Sequence, residues 1–297
     1  MKERLAIIDI GTNTFNLLVV DRENGMFSKV YSTKEGVGLG LGGINQGILA
    51  EDAMQRGFKT LKSFVSTAKE MGTVKMKAFA TSAVRDAANG EKFVDEASNQ
   101  SGLDIEIISG EAEAQFIYEG VKIEYPFHQP TLIMDIGGGS TEFIYANQNE
   151  VLKAHSFNIG TARIYQLFEF SDPYTQDDVK QVIDYLEEHT KHFFDDINSE
   201  VLIGASGSFE TFYALLNQKE YPDDQFEDLP AIELLGILDK MIFSSLEERM
   251  SNPFIIPIRK KMAPIAAIKI KWVLEKLNIQ TLTISPYAMK EGVIKLL

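Results

Sequence analysis

Two short segments of this chain repeat one arrangement of residue types that suits phosphate binding. The first reads Asp9-Ile10-Gly11-Thr12-Asn13-Thr14, and the second reads Asp135-Ile136-Gly137-Gly138-Gly139-Ser140-Thr141-Glu142. Each follows an apolar run and precedes another, a pattern that predicts a strand, a tight acidic glycine turn and a second strand. We interpret the two segments as an internal duplication of the chain.

Such turns can surround a phosphate with backbone donors. Glycine tolerates positive φ and lacks a Cβ, so consecutive N–H groups can converge on one anion and the anion can approach closely. The turn hydroxyls add donors, and Asp9 and Asp135 at the strand ends suit Mg2+ directly or through water. A plain β-turn is the alternative for either copy alone, but two copies favour phosphate. The predicted phosphate-binding residues of the turns are Gly11, Thr12, Asn13, Thr14, Gly137, Gly138, Gly139, Ser140 and Thr141.

Composition limits the class of protein. The chain has 297 residues, which fits two domains, and its 44% hydrophobic and 24% charged residues are those of a soluble globular protein. It contains no cysteine, which excludes disulfides, thiolate metal sites and a cysteine nucleophile. No apolar run approaches the ~20 residues of a membrane span and the N-terminus lacks a signal peptide, so we expect a cytoplasmic protein. The formal net charge of −14 repels DNA and RNA.

The pattern of elements predicts an α/β fold in two halves. In the first half a β-hairpin precedes alternating strands and helices, with helices at 51–71, 84–100 and 110–121 and strands at 74–80 and 103–108. From residue 125 the order recurs. It gives strands near 131, 142, 151, 201–205 and 281–285, and helices at 161–168, 175–194, after 207, 232–244 and 263–277. Each half is expected to form a mixed sheet flanked by helices.

The duplicated turns and four further motifs resemble one family. The chain is similar, essentially end to end, to the exopolyphosphatase / guanosine pentaphosphate phosphohydrolase family, within the superfamily of actin and the sugar kinases. The further motifs are Ala80-Thr81-Ser82-Ala83-Val84-Arg85-Asp86-Ala87, Ile108-Ser109-Gly110-Glu111-Ala112-Glu113-Ala114, Gly204-Ala205-Ser206-Gly207 and Met289-Lys290-Glu291-Gly292-Val293.

The resemblance implies two actin-like (ribonuclease H-like) domains with a cleft between them. It places domain I at 1–124 and domain II at 125–285, with a C-terminal helix at 286–297 that returns to domain I. The implied activity is Mg2+-dependent hydrolysis of the terminal phosphoanhydride of inorganic polyphosphate or of guanosine pentaphosphate. These two anions are the expected partners, DNA, RNA and membranes are not, and a homodimer stays open.

The same resemblance implies residue roles. Glu113 is expected to activate the attacking water, Asp135 and Glu142 to surround the metal and the water, and Arg85 to clamp a phosphate. Asp9 would complete the metal ligands. Gly207 and Ser208 of the downstream segment are expected to bind phosphate. These groups suit phosphoryl transfer, which needs an aligned water, a carboxylate and cations.

Alternatives remain for both residues and function. Glu113 alone would more often be an acidic residue in the first turn of a helix, and Arg85 alone a surface ion-pair former. Gln115 stands where the family usually has arginine, and the segments 260–267 and 285–292 depart from the family pattern, so nucleotide recognition is open. A phosphohydrolase of guanosine pentaphosphate, a non-catalytic sensor of phosphate or nucleotide, and a small-metabolite kinase are the competing functions.

Overall fold

The computed structural model describes residues 2–222 and 224–296, and its first half forms a five-stranded mixed sheet. The strand order is β3-β2-β1-β4-β5. Strands β1, β2 and β3 are antiparallel, whereas β1, β4 and β5 are parallel. The strands are β1 (Glu3–Ile10), β2 (Thr14–Glu23), β3 (Met26–Gly36), β4 (Lys75–Ala80) and β5 (Ile105–Ile107).

The second half repeats this arrangement in a six-stranded sheet. Its order is β10-β11-β9-β6-β7-β8, with β6, β7 and β8 antiparallel and β6, β9 and β11 parallel. The short edge strand β10 was not predicted, because only Leu229 within it is buried and no alternation marks it. The strands are β6 (Thr131–Ile136), β7 (Thr141–Ala146), β8 (Val151–Phe157), β9 (Val201–Gly204), β10 (Glu227–Pro230) and β11 (Thr281–Ile284).

The two glycine turns close hairpins of identical register. Asp9 lies opposite Asn16 across β1 and β2, and Asp135 lies opposite Glu142 across β6 and β7. The Gly11 N–H donates to the Thr14 carbonyl at 3.2 Å; the corresponding bond, from Gly137 to Ser140, is 3.1 Å. The duplication predicted from the sequence is therefore present in the backbone itself.

Helices cover both sheets and also fill the space between them. Alternate residues of β1 face opposite layers: Ile8 packs with α1 and α3, whereas Ile7 packs with α4 and α11. Ile133 of β6 belongs to that same middle cluster, so α4 and α11 lie between the sheets. The helices are α1 (Glu51–Glu70), α2 (Ser82–Arg85), α3 (Gly90–Ser101), α4 (Gly110–Val121), α5 (Thr161–Leu167), α6 (Gln176–His189), α7 (Gly207–Asn217), α8 (Ala231–Ile242), α9 (Leu246–Ser251), α10 (Ala263–Lys276) and α11 (Met289–Gly292), with 3-10 turns at Ile44–Gln46, Pro257–Arg259 and Val293–Leu296.

Two glycines allow α4 and α11 to touch backbone to backbone. A Cβ on Gly120 would lie 2.1 Å from the Ala288 carbonyl oxygen, and one on Gly292 would lie 1.8 Å from that of Phe116. Any side chain at these positions would force the helices apart. The contact fixes α4, and hence its first turn, relative to the C-terminal segment.

Two predicted helices have different bounds. The helix expected at 84–100 is two helices, because Asn89 between them bonds with both its amide nitrogen and oxygen to the backbone of Leu49. The helix expected to reach 194 ends at His189; Phe193 and Phe194 instead turn inward onto Phe143. Helix α11 contacts α4 and β1, while the domain bounds, which include the undescribed residues 1, 223 and 297, remain a prediction. In the described parts of the chain no helix is long and apolar enough to cross a membrane.

Candidate active site

Both glycine turns open onto one cavity of about 170 Å³ between the two sheets. Segments far apart in sequence meet there because each sits at the carboxyl end of a strand or at the start of the following helix. Among the predicted residues, those that line the cavity are Asp9, Gly11, Thr12, Asn13, Thr14, Glu113, Asp135, Gly137, Gly138, Ser140, Glu142, Gly207 and Ser208.

The turns face each other closely. A Cβ on Gly138 would lie 2.6 Å from the side-chain carbonyl carbon of Asn13, and one on Gly139 would lie 2.8 Å from the Thr12 hydroxyl oxygen. Glycine is required at both positions because larger residues would collide with the opposite turn. The buried Asn13 Oδ1 has no hydrogen-bond partner among the described residues, which leaves an acceptor free at the meeting point of the turns.

A glycine-rich loop supports the first turn from behind. The Gly38 N–H donates to the Asn13 carbonyl at 2.9 Å and the Gly40 N–H donates to the Thr12 carbonyl at 3.0 Å. Gly38 adopts a φ of 62°, the left-handed region that glycine favours. These bonds hold the carbonyls of Thr12 and Asn13 on the side of the glycine-rich loop.

Three carboxylates of the hairpins share the cavity and disturb one another. Burial raises the pKa of Asp9 to about 6, against the hydrogen bond that Asn16 Nδ2 donates to its Oδ2 at 2.8 Å. Burial, and then the charges of Glu142 and Asp9, raise the pKa of Asp135 well above its ordinary range. Burial also raises the pKa of Glu142. The cluster lacks enough positive charge to be fully ionised without a cation.

Glu113 lies at the start of α4 and is 8% exposed. Ser109 caps this helix: its hydroxyl accepts from the Ala112 N–H at 3.2 Å. Burial, and then the charge of Glu142, raise the pKa of Glu113 well above its usual value, although Arg85 opposes the shift. A raised pKa suits a carboxylate that accepts a proton during catalysis.

Arg85 contacts Glu113 and does not line the cavity. Its Nη1 donates to Glu113 Oε2 at 2.8 Å and to the Ile108 carbonyl at 3.2 Å. Its predicted role as a direct phosphate clamp stays a prediction. In this geometry the arginine holds the candidate base in place.

Two other predicted phosphate ligands also lie off the cavity. Thr141 is fully buried, and its hydroxyl accepts from Lys269 Nζ and donates to the Ser140 carbonyl, because alternation along β7 turns it away from Glu142. Gly139 is covered by the Thr12 hydroxyl of the opposite turn and by the Ser82 hydroxyl of α2. Their roles in phosphate binding stay predictions.

A buried lysine near the carboxylates was not predicted. Lys269 of α10 is fully buried and also donates to the Ile159 carbonyl at 2.9 Å. Burial lowers its pKa to about 7, against the charges of Glu142 and Asp135. Its position within an apolar helix gave no sign of a functional neighbourhood.

Three further cations stand at the mouth of the cavity around Glu210. Lys34 Nζ lies 2.7 Å from Glu210 Oε2 and so connects β3 to α7. Burial raises the pKa of Glu210, but Lys34 and then Arg259 outweigh it and leave that pKa below its ordinary value. Arg259 also bonds the Gly207 carbonyl, and Lys290 lines the same mouth. Of the three consecutive basic residues Arg259, Lys260 and Lys261, Arg259 alone lines the cavity.

The acidic side chains of the cavity can hold a divalent cation only if water and substrate phosphates supply further ligands. No group of three or more histidine, cysteine or acidic residues within 2–222 and 224–296 lies close enough to hold an ion by itself. Mg2+ commonly takes one or two carboxylates and completes its shell with water and substrate phosphates. Asp9, Asp135 and Glu142, with their unbalanced charge, suit that mode.

A second, larger groove joins the cavity. Its volume is about 1430 Å³, and the two share Asn16, Lys34, Glu210, Arg259 and Lys290 among their lining residues. Five basic and five acidic side chains line it, together with the rings of Phe27, Tyr221, Phe254 and Tyr287. The groove is therefore close to neutral, unlike a channel built for a long polyanion.

Two duplicated α/β halves that enclose a cavity between facing glycine turns define an actin-like phosphate-binding fold. The family model described as the Ppx/GppA phosphatase family matches residues 18–296. The chain belongs to this family, and enzymes of the family generally depend on a divalent metal.

A solved structure shares the fold of this chain, and the relatives differ from it in length. An exopolyphosphatase crystal structure from Cytophaga hutchinsonii is 34% identical, with a TM-score of 0.95 over 98% of this chain and 96% of that one. A guanosine-5'-triphosphate,3'-diphosphate pyrophosphatase of Photobacterium profundum is 27% identical over 97% of this chain, and a bifunctional 3-dehydroquinate synthase/phosphatase of Fusobacterium nucleatum is 31% identical over 83%. The chain spans only 58% and 38% of the lengths of these two relatives.

Proposed function

We propose that the protein hydrolyses the terminal phosphoanhydride of inorganic polyphosphate and releases orthophosphate. One observation carries the proposal: the buried Glu113, with its raised pKa, shares one cavity with both glycine turns. The exopolyphosphatase of Cytophaga hutchinsonii, similar over nearly the whole chain, supports this substrate.

Glu113 is the proposed general base. Its carboxylate takes a proton from the attacking water and aims the oxygen at the terminal phosphorus. Arg85 holds that carboxylate by the 2.8 Å bond, which fixes its direction while burial keeps its pKa high. Positioning and electrostatic stabilisation supply most of the catalysis in phosphoryl transfer, and this arrangement provides the positioning of the water.

The turn residues are proposed to bind the phosphates on either side of the broken bond. Backbone N–H groups of residues 12–14, 138 and 140 donate to phosphate oxygens, and the hydroxyls of Thr12 and Ser140 lie beside them. Asp9, Asp135 and Glu142 would hold Mg2+, which when bound neutralises phosphate charge. Lys34, Arg259 and Lys290 receive the rest of the anion at the cavity mouth.

A second candidate substrate is guanosine pentaphosphate, and the neutral groove favours it. Equal numbers of acidic and basic side chains would attract a long polyphosphate weakly. A nucleoside could instead stack on Tyr221 or Tyr287 and donate to the groove carboxylates. Gln115 is exposed on α4, where its Nε2 donates to Glu119 Oε1 at 3.4 Å, and it lines neither cavity; the effect of its departure from the family arginine stays open.

Orthophosphate release from the two substrates tests the proposal. The purified chain with Mg2+ should release orthophosphate from both, and kcat/KM decides which substrate is preferred. Glu113→Gln should abolish release, whereas Glu111→Gln, exposed in the same first turn, should retain it. Binding of either anion without turnover would indicate the sensor, and transfer from ATP to a small metabolite would indicate a kinase. A cytoplasmic location is proposed with the function, and the oligomeric state stays open.

A further inference from the structure

Arg163 of α5 joins the second glycine turn to two segments of the first half. Its Nε donates to the Gly139 carbonyl at 3.0 Å, and its Nη1 donates to the Ile44 carbonyl at 3.4 Å. Its Nη2 donates to Asp86 Oδ2 at 2.8 Å. The side chain is only 13% exposed, so these bonds are largely shielded from water.

Asp86 extends this contact to the candidate base. Its Oδ1 lies 3.6 Å from Arg85 Nε, and Arg85 in turn holds Glu113. Glu113, Arg85, Asp86 and Arg163 therefore form a chain of alternating charges, which we call the charge chain. Each member is at most 25% exposed, so the charges act on one another more strongly than those of surface pairs.

We propose that Arg163 is a positioning residue that sets Arg85 and Glu113 in their working geometry only when the second glycine turn is docked against the first half. With Arg163 in place, its guanidinium balances the charge of Asp86, and Arg85 pairs with Glu113. Without it, Asp86 competes with Glu113 for Arg85 and draws the guanidinium away from the base. This inference rests on the proposed hydrolysis and adds a residue that does not line the cavity.

The chain supplies a matched control on the same helix. Gln166 also joins the halves: its Oε1 accepts from the Gly42 N–H at 2.8 Å and its Nε2 donates to the Gly40 carbonyl at 3.2 Å. It is neutral and has no contact with the charge chain. Gln166→Ala therefore weakens the docking of the halves but leaves the charges intact.

Steady-state orthophosphate release should separate the two effects. Arg163→Gln should lower kcat by about 10- to 100-fold with KM changed less than about threefold, because the base is displaced while the phosphate donors remain. Arg163→Lys keeps the charge beside Asp86 and should restore most of kcat. Asp86→Asn removes the competitor, so adding it to Arg163→Gln should recover part of the lost rate.

The outcomes are distinct from failure of the proposed function. If the wild type and Gln166→Ala release no orthophosphate, the function itself is wrong. If the wild type is active but Arg163→Gln and Gln166→Ala lose kcat equally, or Asp86→Asn gives no recovery, Arg163 serves only to hold the halves together. Urea unfolding measures the free energy of unfolding of each variant and shows whether a loss in kcat follows a loss in stability.

Discussion

A substitution of Asp9 tests whether the unbalanced negative charge of the site lowers the free energy of unfolding. The change is Asp9→Asn, which removes the charge but keeps a side-chain oxygen to accept the bond from Asn16 Nδ2. Asp135 and Glu142 stand close enough for their charges to act on Asp9. Removing one of three clustered negative charges should therefore stabilise the fold.

The sign and size follow from the pKa of Asp9. Burial raises it from 3.8 to about 6, so the folded state binds the proton more tightly than the unfolded chain. The resulting penalty is absent below about pH 4, grows between pH 4 and 6, and is complete above the folded pKa. At about 1.4 kcal/mol per pKa unit, the penalty is at most about 3 kcal/mol. The NH2 group of the new asparagine side chain would have no hydrogen-bond partner, and this cost offsets about 1 kcal/mol of the gain.

Urea unfolding without divalent cation tests this reasoning. At pH 8 Asp9→Asn should raise the free energy of unfolding by about 1–2 kcal/mol, and near pH 4 it should give no gain. Asp95→Asn, exposed on α3, is the control and should change little at either pH. Adding Mg2+ at pH 8 should narrow the difference between wild type and Asp9→Asn. A variant that is no more stable than wild type at pH 8, or a gain independent of pH, would refute the argument.

Three further outcomes are expected. Gly120→Ala should lower the free energy of unfolding by about 2 kcal/mol or more because its Cβ meets backbone, whereas Gly236→Ala in α8, with open space around it, should raise it by about 0.5–1 kcal/mol; equal shifts would contradict this. Ser156→Ala removes the 2.6 Å hydrogen bond that holds the pKa of Glu142 down, so the acidic limb of the kcat/KM profile should move to higher pH. An unmoved limb would mean that the ionisation of Glu142 does not control activity. Removing divalent metal with EDTA should abolish orthophosphate release and Mg2+ should restore it; full activity in EDTA would exclude Asp9, Asp135 and Glu142 as metal ligands in turnover.

The hairpins were predictable because their signals are local. Apolar alternation fixes which residues of β1 and β6 face each layer, and glycines allow only a few turn geometries between them. The matching register, with Asp9 opposite Asn16 and Asp135 opposite Glu142, then follows from equal turn lengths. The family, the fold class and the arrangement in two sheets were predicted from the same local motifs and are confirmed.

Contacts between distant segments were beyond the sequence. The break of the 84–100 helix depends on Asn89 bonding to Leu49, and the ion pair of Arg85 with Glu113 joins residues that no local pattern relates. Lys269 lies in the apolar sequence of α10, and only packing shows that it is buried beside the carboxylates. The neutral groove likewise arises only when the two halves come together.

The most direct test of the account is a crystal structure of the Glu113→Gln variant with Mg2+ and a short polyphosphate. The account predicts the terminal phosphate held by N–H groups of both turns, with the residue 113 side chain one water molecule away from the terminal phosphorus. A phosphate bound to one turn alone, or residue 113 farther than one water molecule from that phosphorus, would contradict it.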